Sequence, residues 1–254
     1  MSNLISVITI NLNNALGLKK TINSVLSQDY SNIEYIIIDG DSSDGSVEII
    51  QSVSSKLAYF ITEKDEGIYS AMNKGIIKAN GEYLIFLNSG DYFASPSSIS
   101  SLKMNAISKS IIYGNMLIEK NGELSIEKYP HQVDLNFFLE GALPHPSTLI
   151  NRNLFLKFGL YKTNYKIISD WAFFVDTIIS KKVSYEYVDT VVSVFNLNGI
   201  SSQPSNYKII RDEMNAHFKS NYFLFYLNYR FRWAINYYPK RALEKLLMYL
   251  GFSK

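Results

Sequence analysis

The chain has 254 residues, of which 47% are hydrophobic, and its formal net charge is +2. This is enough apolar material for one large α/β core and a small appendage. The absence of cysteine excludes disulfide frameworks, thiolate metal sites and cysteine nucleophiles, so any metal must be held by oxygen or histidine. The first residues lack the basic start and long apolar core of a signal peptide, and we therefore predict a cytoplasmic protein that begins with a strand.

The first ninety residues alternate β-branched runs with segments of helical period, which is typical of βαβ units in a mainly parallel sheet. Four strands are predicted, at residues 5–10, 33–38, 57–61 and 83–87. Leu18 and Ile22 share a helical face between the first two strands, and Ile68 and Met72 share another before the fourth. Each helix can cover the sheet with its apolar face.

From residue 111 onward the pattern changes. Two apolar runs flank Asn121 and Gly122, a dipeptide suited to the positive φ angles of a tight hairpin. A strand at residues 147–150, a helix at 170–179 and a strand at 183–195 are predicted to follow. This second half is expected to be a mixed extension of the same sheet.

Pro204-Ser205 marks the predicted boundary between a domain at residues 1–204 and a helical tail at 205–254. The tail has nine basic and three acidic residues, a net +6, against 16 basic and 20 acidic residues in the rest, a net −4. Arg230 and Arg232 interrupt its aromatic run before the ~20 residues that span a bilayer. We predict a peripheral helix on an anionic membrane surface, with a helical cap or a dimer contact as alternatives. The domain has no basic stripe, so no nucleic-acid partner is expected.

Four consecutive strand ends are followed by amides and carboxylates. Ligands of an open parallel sheet bind beyond the carboxyl ends of its strands, which makes these loops the predicted site. Its polar residues are Thr9, Asn11 and Asn13, then Asp39, Asp41 and Asp44, then Glu63 and Asp65, and finally Asn88, Ser89 and Asp91. For Asp41, Asp44 and Ser46 the alternative is a turn in which Ser46 caps the next helix.

Asp91 follows the apolar run of the fourth strand and is expected to be an exposed loop carboxylate. A divalent cation bound to a diphosphate keeps several waters and needs only one or two protein carboxylates. One aspartate in this loop is therefore chemically sufficient for a metal site.

Several stretches together resemble the family-2 glycosyltransferases of bacterial polysaccharide synthesis, which have the GT-A fold. They are SVITINLNN, SVLSQDYSNIEYIIIDGDSSDGS, DEGIYSAMNKGIIKANGEYLIFLNSGDYF, HPSTLI and ISDWAFF, which span roughly residues 4–200. The strongest similarity is to transferases of the colanic-acid type. The resemblance implies an α/β fold with a Rossmann-like sheet, and inverting transfer of a sugar from a nucleotide diphosphate, expected to be a UDP sugar. The implied acceptor is a hydroxyl of a glycan or a lipid-linked acceptor in surface polysaccharide synthesis.

The resemblance also implies roles for individual residues. Thr9, Asn11 and Asp39 would surround the base; Asp65, Asn73, Asn88 and Ser89 would complete the donor site; and Asp91 would bind Mn²⁺ or Mg²⁺. Asn88 and Gly90 occupy the places of the two aspartates in the family's metal-binding Asp-x-Asp run, which leaves Asp91 as the remaining carboxylate. Asp170 falls where the family keeps its catalytic base, and His145 and Trp171 would lie on the acceptor side.

Structural alternatives exist for three of these residues. Asn73 can be an exposed helix residue, and His145 a structural histidine. Asp170 can be a first-turn carboxylate in a helix capped by Ser169, which contributes about 0.3–1 kcal/mol through the helix dipole.

Two other functions compete with sugar transfer. The altered metal-binding run favours a non-catalytic nucleotide-sugar binder, which would release no nucleotide diphosphate. A glycoside hydrolase with Glu63 and Glu66 as its paired carboxylates would act without any nucleotide.

Overall fold

The computed structural model describes residues 3–102, 109–197, 199–237 and 248. The chain divides into two compact units, residues 1–207 and residues 208–254. The first unit contains the mixed sheet and the helices that pack on it, and the described part of the second unit is helical.

Within the described residues, nine strands form a single sheet in the order β3-β2-β1-β4-β8-β6-β9-β5, with β7 paired to β6. The strands are β1 (Ile5–Asn11), β2 (Ile33–Asp39), β3 (Tyr59–Thr62), β4 (Tyr83–Phe86), β5 (Tyr92–Phe93), β6 (Ile111–Lys120), β7 (Glu123–Glu127), β8 (Thr148–Asn151) and β9 (Tyr185–Asn196). The predicted strands are thereby confirmed, with ends that shift by one or two residues.

The first half of the sheet, β3-β2-β1-β4, is parallel throughout. Helices α1 (Ala15–Leu26), α2 (Ser46–Ser52) and α3 (Ile68–Lys78) connect its strands. Because side chains alternate along a strand, Val7 joins the core that contains Leu18 of α1, whereas Ile8 faces α3. A Cβ at Gly75 of α3 would lie 2.5 Å from Cγ2 of Ile8, so glycine allows this close approach. The predicted α/β fold with helices on both faces is confirmed.

Strand direction reverses after β4. Strand β4 pairs antiparallel with β8, and β8 pairs antiparallel with β6. Strand β6 then runs parallel to β9, and β9 is antiparallel to β5. Between β6 and β7, Asn121 has φ 52° and Gly122 has φ 82°, which confirms the predicted hairpin. The second half is the mixed extension that the sequence predicts.

The helices of the second half of the domain are short. They are α4 (Leu135–Glu140), α5 (Asn153–Phe158) and α6 (Ser169–Phe174), and a π-helical stretch continues α6 over Val175–Ser180. The alternatives in which Ser46 and Ser169 cap their helices do not match the structure. Each serine is the first residue of its helix, and the N-cap positions belong to Gly45 and Ile168. Ser46 Oγ instead donates to Asp44 Oδ1 at 2.6 Å.

The second unit consists of most of α7 (Tyr207–Asn221) and of α8 (Phe223–Tyr237). The ring of Phe218 contacts the rings of Tyr222 and Phe225. Large apolar side chains on the first turns of α8 are exposed, with Leu224 at 82%. None of the described helices is both long and apolar enough to cross a membrane. Most of the predicted tail beyond residue 237 lies outside the described residues.

Candidate active site

A cavity of about 850 Å³ lies beyond the carboxyl ends of the parallel strands. Its walls come from both halves of the sheet. Asn11 ends β1, and Asp65 and Asn88 follow β3 and β4, whereas His145 and Asp170 belong to the second half. A cavity of ~300–1,000 Å³ that is mainly apolar with a few convergent polar groups is typical of a small-molecule site. The predicted location of the site agrees with this cavity.

Asn11 and Asp39 form a connected pair at the ends of β1 and β2. Asn11 Nδ2 donates to Asp39 Oδ1 at 2.7 Å, and the Asp39 carboxylate also accepts from the Oγ and the backbone N–H of Ser42. Asp39 is fully buried and does not line the cavity, whereas Asn11 does. Asp39 therefore fixes the orientation of the Asn11 amide.

Thr9 and Asp65 differ in whether they reach the cavity. Thr9 is fully buried, its Oγ1 is 3.0 Å from the hydroxyl of Tyr35, and it does not line the cavity. Asp65 lines the cavity and pairs with Lys74 of α3 at 2.7 Å. The same lysine lies 2.6 Å from a carboxylate oxygen of Glu63, so one cation holds two of the three acidic residues of this loop.

The loop Asn88–Asp91 closes the cavity beyond β4. Asn14, the N-cap residue of α1, donates its side-chain N–H to the Ser89 carbonyl at 2.8 Å. Gly90 takes φ 108°, a conformation that glycine adopts without strain. Among the described residues, the side-chain oxygen of Asn88 is buried and has no hydrogen-bond partner. An unpartnered buried acceptor at a cavity wall is suited to a cation or a donor group.

The expectation that Asp91 is an exposed loop carboxylate is wrong. Asp91 is 5% exposed, and its Oδ1 accepts from the backbone N–H of Asn196 at 3.0 Å. Burial raises the pKa of Asp91 from 3.8 to about 7, and the hydrogen bond from Asn196 acts in the opposite direction. The end of β9 covers this carboxylate, although Asp91 still lines the cavity.

Asp170, the second residue of α6, lies at the cavity wall of the second half. Its side chain is 26% exposed, and its Oδ1 is 2.6 Å from the hydroxyl of Tyr69 on α3. Its Oδ2 is 3.9 Å from Nδ1 of His145. Asp170 is thus accessible from the cavity and is held by the hydroxyl of Tyr69.

His145 and Asn73 support this wall. The His145 ring stacks on Phe86 with centroids 4.8 Å apart, and its Nε2 is 2.9 Å from the hydroxyl of Tyr161. Burial lowers the pKa of His145, whereas the charge of Asp170 acts to raise it. Asn73 does not line the cavity. Its side-chain amide donates to the Tyr161 carbonyl at 2.8 Å and accepts from the Tyr161 N–H at 3.0 Å.

Trp171 and the paired glutamates lie away from the cavity lining. Trp171 is 4% exposed, and its indole N–H lies 3.0 Å from the carbonyl of Phe138 and 3.1 Å from that of Gly141. Glu63 and Glu66 do not line the cavity, which leaves the hydrolase hypothesis without its carboxylate pair.

Sequence reasoning missed Tyr69 and Lys74, which both lie within DEGIYSAMNKG. The sequence offers a partial signal for Tyr69. It lies four residues before Asn73, so the two residues share one face of α3. The sequence also offers no signal for Asn196, the last residue of β9, or for Ile200 beyond it, which both line the cavity.

No group of three or more histidine or acidic side chains that could hold a metal ion occurs among the described residues. A diphosphate-bound cation does not require such a cluster, since the diphosphate and water supply most of its ligands. The carboxylate of Asp91 and the unpartnered oxygen of Asn88 therefore fit a metal that arrives with its ligand.

The strand order and the mixed sheet are those of the GT-A fold of glycosyltransferases. Residues 6–162 match the model of the family described as Glycosyl transferase family 2. The chain is 32% identical over 205 residues to an uncharacterized glycosyltransferase of Mycobacterium tuberculosis, an alignment that covers 78% of this chain and 77% of the relative. The chain therefore belongs to glycosyltransferase family 2 and is a glycosyltransferase.

Two solved structures share the fold at low sequence identity. The crystal structure of S. aureus TarS 1–349 in complex with UDP-GlcNAc matches with a TM-score of 0.64 at 16% identity, covering 85% of this chain and 66% of that chain. A mannosyltransferase of Pyrobaculum calidifontis in complex with GDP-Man and Mn²⁺ matches with a TM-score of 0.58 at 15% identity, covering 100% of this chain and 82% of that chain.

Proposed function

We propose that this glycosyltransferase moves a sugar from a UDP sugar to an acceptor hydroxyl with inversion of the anomeric centre. The observation that carries the proposal is the position of Asp170 in the same cavity as the polar strand-end residues Asn11, Asp65 and Asn88. Such a cavity can hold a donor against one wall and present a base from the other. The neighbours that bind UDP-GlcNAc and GDP-Man support a nucleotide-sugar donor.

The donor is proposed to lie along the first half of the sheet. Asn11 and Asp65 face the cavity and would contact the nucleoside, with Asp39 and Lys74 holding them in place. Ser89 and Asn88 would contact the diphosphate side. Thr9 and Asn73 would act through the packing of Tyr35 and Tyr161 rather than through donor contact.

A divalent cation, Mn²⁺ or Mg²⁺, is proposed to be held by Asp91 with Asn88 Oδ1. The cation would neutralise the charge that develops on the leaving diphosphate. The Mn²⁺ complex of the structural neighbour supports this proposal. The raised pKa of Asp91 implies that its carboxylate becomes a better ligand as the pH rises through about 7.

Asp170 is proposed to be the catalytic base. Its carboxylate accepts the proton of the acceptor hydroxyl while that oxygen bonds to the anomeric carbon and the bond from this carbon to the diphosphate oxygen breaks. Attack from the face opposite to the diphosphate inverts the configuration. A base within hydrogen-bond reach contributes ~10²–10⁴-fold in rate. His145 lines the cavity beside Asp170, whereas Trp171 would stabilise the acceptor wall through its hydrogen bonds to the α4 region.

The acceptor is proposed to be a glycan or lipid-linked hydroxyl in surface polysaccharide synthesis. The tail at residues 205–254 carries a net charge of +6 and is proposed to lie on an anionic membrane. Exposed Phe223, Leu224 and Leu227 lie close together on α8 and support an in-plane orientation.

The proposal is tested with UDP-glucose, UDP-galactose, UDP-N-acetylglucosamine and GDP-mannose, each with Mn²⁺, Mg²⁺ or EDTA. The readouts are release of nucleoside diphosphate, UDP binding by calorimetry and product configuration by NMR. Asp170→Asn should lower the rate ~10²–10⁴-fold and retain UDP binding. Asp176→Asn provides the matched control, since Asp176 lies in the same helical segment and pairs with Lys162 outside the cavity.

Three results would contradict the proposal. Tight UDP binding with no release from any donor would support the non-catalytic binder. Hydrolysis of a nitrophenyl glycoside without nucleotide would support a hydrolase. An Asp170→Asn variant within a few-fold of wild type would remove Asp170 from the catalytic role.

A further inference from the structure

The hydroxyl of Tyr69 lies between two acceptors on the segment that carries the proposed base. It is 2.6 Å from Asp170 Oδ1 and also within hydrogen-bond distance of the Ile167 carbonyl. The ring is buried, at 4% exposed, so the hydroxyl is fixed in this position. A phenol has one proton and therefore donates to one of these two acceptors at a time.

The protonation state of Asp170 determines which acceptor receives that proton. An ionised carboxylate is a stronger acceptor than a carbonyl, so the Tyr69 O–H donates to Asp170 before the reaction. Once Asp170 has taken a proton from the acceptor substrate, its own O–H can donate to the Tyr69 oxygen, while the Tyr69 proton turns to the Ile167 carbonyl. Rotation of the Tyr69 hydroxyl thus gives a hydrogen-bond partner to both the ionised and the protonated form of Asp170, without movement of the backbone.

We infer that Tyr69 is the positioning residue of Asp170, which holds the carboxylate in one orientation before and after proton transfer. This inference rests on the proposed role of Asp170 as the base. Tyr69 lines the cavity, but its hydroxyl acts on Asp170 rather than on a reacting atom.

The charges around Asp170 are consistent with this role. Burial and the charge of Asp170 raise the pKa of Tyr69 well above its ordinary value, so Tyr69 keeps its proton at working pH. The other titratable groups on this side are His145 and Tyr161. Burial lowers the pKa of His145 and raises that of Tyr161, which favours the neutral form of both. At 3.9 Å, the His145 Nδ1 is too far from Asp170 Oδ2 for a direct hydrogen bond.

Tyr69 also connects the base to the donor wall. It is the second residue of α3 and follows the cavity-lining Gly67, which adopts φ 126°. Four residues further along the same helix, Asn73 holds the backbone of Tyr161 through two hydrogen bonds. Movement of this helix on donor binding would therefore be transmitted directly to the base and to its neighbour His145.

The test compares Tyr69→Phe with wild type, using the fastest donor of the four-donor panel. The variant should lower kcat about 10- to 100-fold, the rate equivalent of one hydrogen bond to a charged group, with donor KM and UDP affinity within twofold. The acid limb of the pH–kcat profile should move to higher pH, because a lost donor disfavours the ionised carboxylate. Tyr83→Phe is the matched control, since this buried tyrosine donates to the Lys109 carbonyl at 2.7 Å outside the cavity.

A double-mutant cycle separates positioning from simple packing. In an Asp170→Asn background, Tyr69→Phe should have little further effect on kcat, because the group that it positions is already absent. An equal loss in both backgrounds would overturn the inference, as would a Tyr69→Phe variant with wild-type kcat and an unshifted acid limb. If Asp170→Asn itself is fully active, the proposed base is wrong, whatever Tyr69→Phe does.

A second substitution covers the case in which Tyr69→Phe unfolds. Incorporation of 3-fluorotyrosine at position 69 retains the hydroxyl and makes it a stronger donor, so the acid limb should move to lower pH. An unchanged profile with this residue would also overturn the inference.

Discussion

Substitution of Asp91 by Asn should stabilise the metal-free protein at alkaline pH, although it removes the proposed metal ligand. Burial raises the pKa of Asp91 from 3.8 to about 7. The folded state therefore holds this proton more tightly than the unfolded state does. The contribution of Asp91 to stability becomes less favourable as the pH rises from about 4 to about 7 and is constant above that.

The size of the expected stability difference follows from the pKa shift of Asp91. About three pKa units correspond to roughly 4 kcal/mol, of which about 2–3 kcal/mol develops between pH 5 and pH 8. Asp91 is almost fully buried, so solvent screening reduces this figure little. Asp91→Asn lacks the ionisation, and its amide oxygen can still accept from the Asn196 N–H.

The assay is urea unfolding in EDTA at pH 5 and pH 8, followed by tryptophan fluorescence. The stability of Asp91→Asn relative to wild type should rise by about 2–3 kcal/mol between these pH values. Glu123→Gln, on the exposed strand β7, is the control and should change neither the stability nor its pH dependence. With saturating UDP present, Mn²⁺ should then stabilise wild type further at pH 8, by about 2.7 kcal/mol at 100 times the Kd, and should not further stabilise Asp91→Asn.

Two results would refute this reasoning. A stability difference that is the same at pH 5 and pH 8 would show that Asp91 ionises as an ordinary surface carboxylate. Equal stabilisation of both proteins by Mn²⁺ would show that the metal binds elsewhere.

Asn73→Ala should lower stability by about 1–3 kcal/mol, because two hydrogen bonds to the Tyr161 backbone are lost, and should leave UDP affinity within twofold. Thermal melting and calorimetry measure the two effects, and a tenfold loss of UDP affinity without a change in Tm would instead place Asn73 in the donor site. The full chain should sediment with phosphatidylglycerol vesicles at low salt and dissociate at high salt, since each near-surface Lys or Arg contributes about 1 kcal/mol. A variant that ends at residue 204 should stay in the supernatant, and failure of the full chain to sediment would contradict the membrane hypothesis.

The sequence predicts the order and location of the main elements because their signals are local. Runs of β-branched residues predict β1 and β2, and Asn121-Gly122 predicts the hairpin. The cavity location follows as well, since the carboxyl ends of parallel strands must lie at one edge. Strand β5 has two residues and gives no such signal.

The sequence does not predict which polar side chains reach the cavity, because distant partners decide this. Asp91 is buried by Asn196, 105 residues later in the chain. Asn73 is engaged by Tyr161, 88 residues later. Local competition matters too, since Ser42 donates two hydrogen bonds to the carboxylate of Asp39, which the family resemblance places at the base of the nucleotide.

The reversal of strand direction between β4 and β8 separates the two walls of the cavity along the chain. The residues proposed to face the donor lie before residue 92, and the proposed base Asp170 lies after residue 144, so substitutions that remodel one wall need not alter the other. Two contacts connect the halves of the chain, one between Tyr69 and Asp170 and one between Asn73 and Tyr161. A chimera that joins the first half of this chain to the second half of a relative should therefore retain an oriented base if these two contacts are kept, and a buried Asp91 if the hydrogen bond from Asn196 is kept as well. Under the proposed roles, the acceptor could then change without a change of donor.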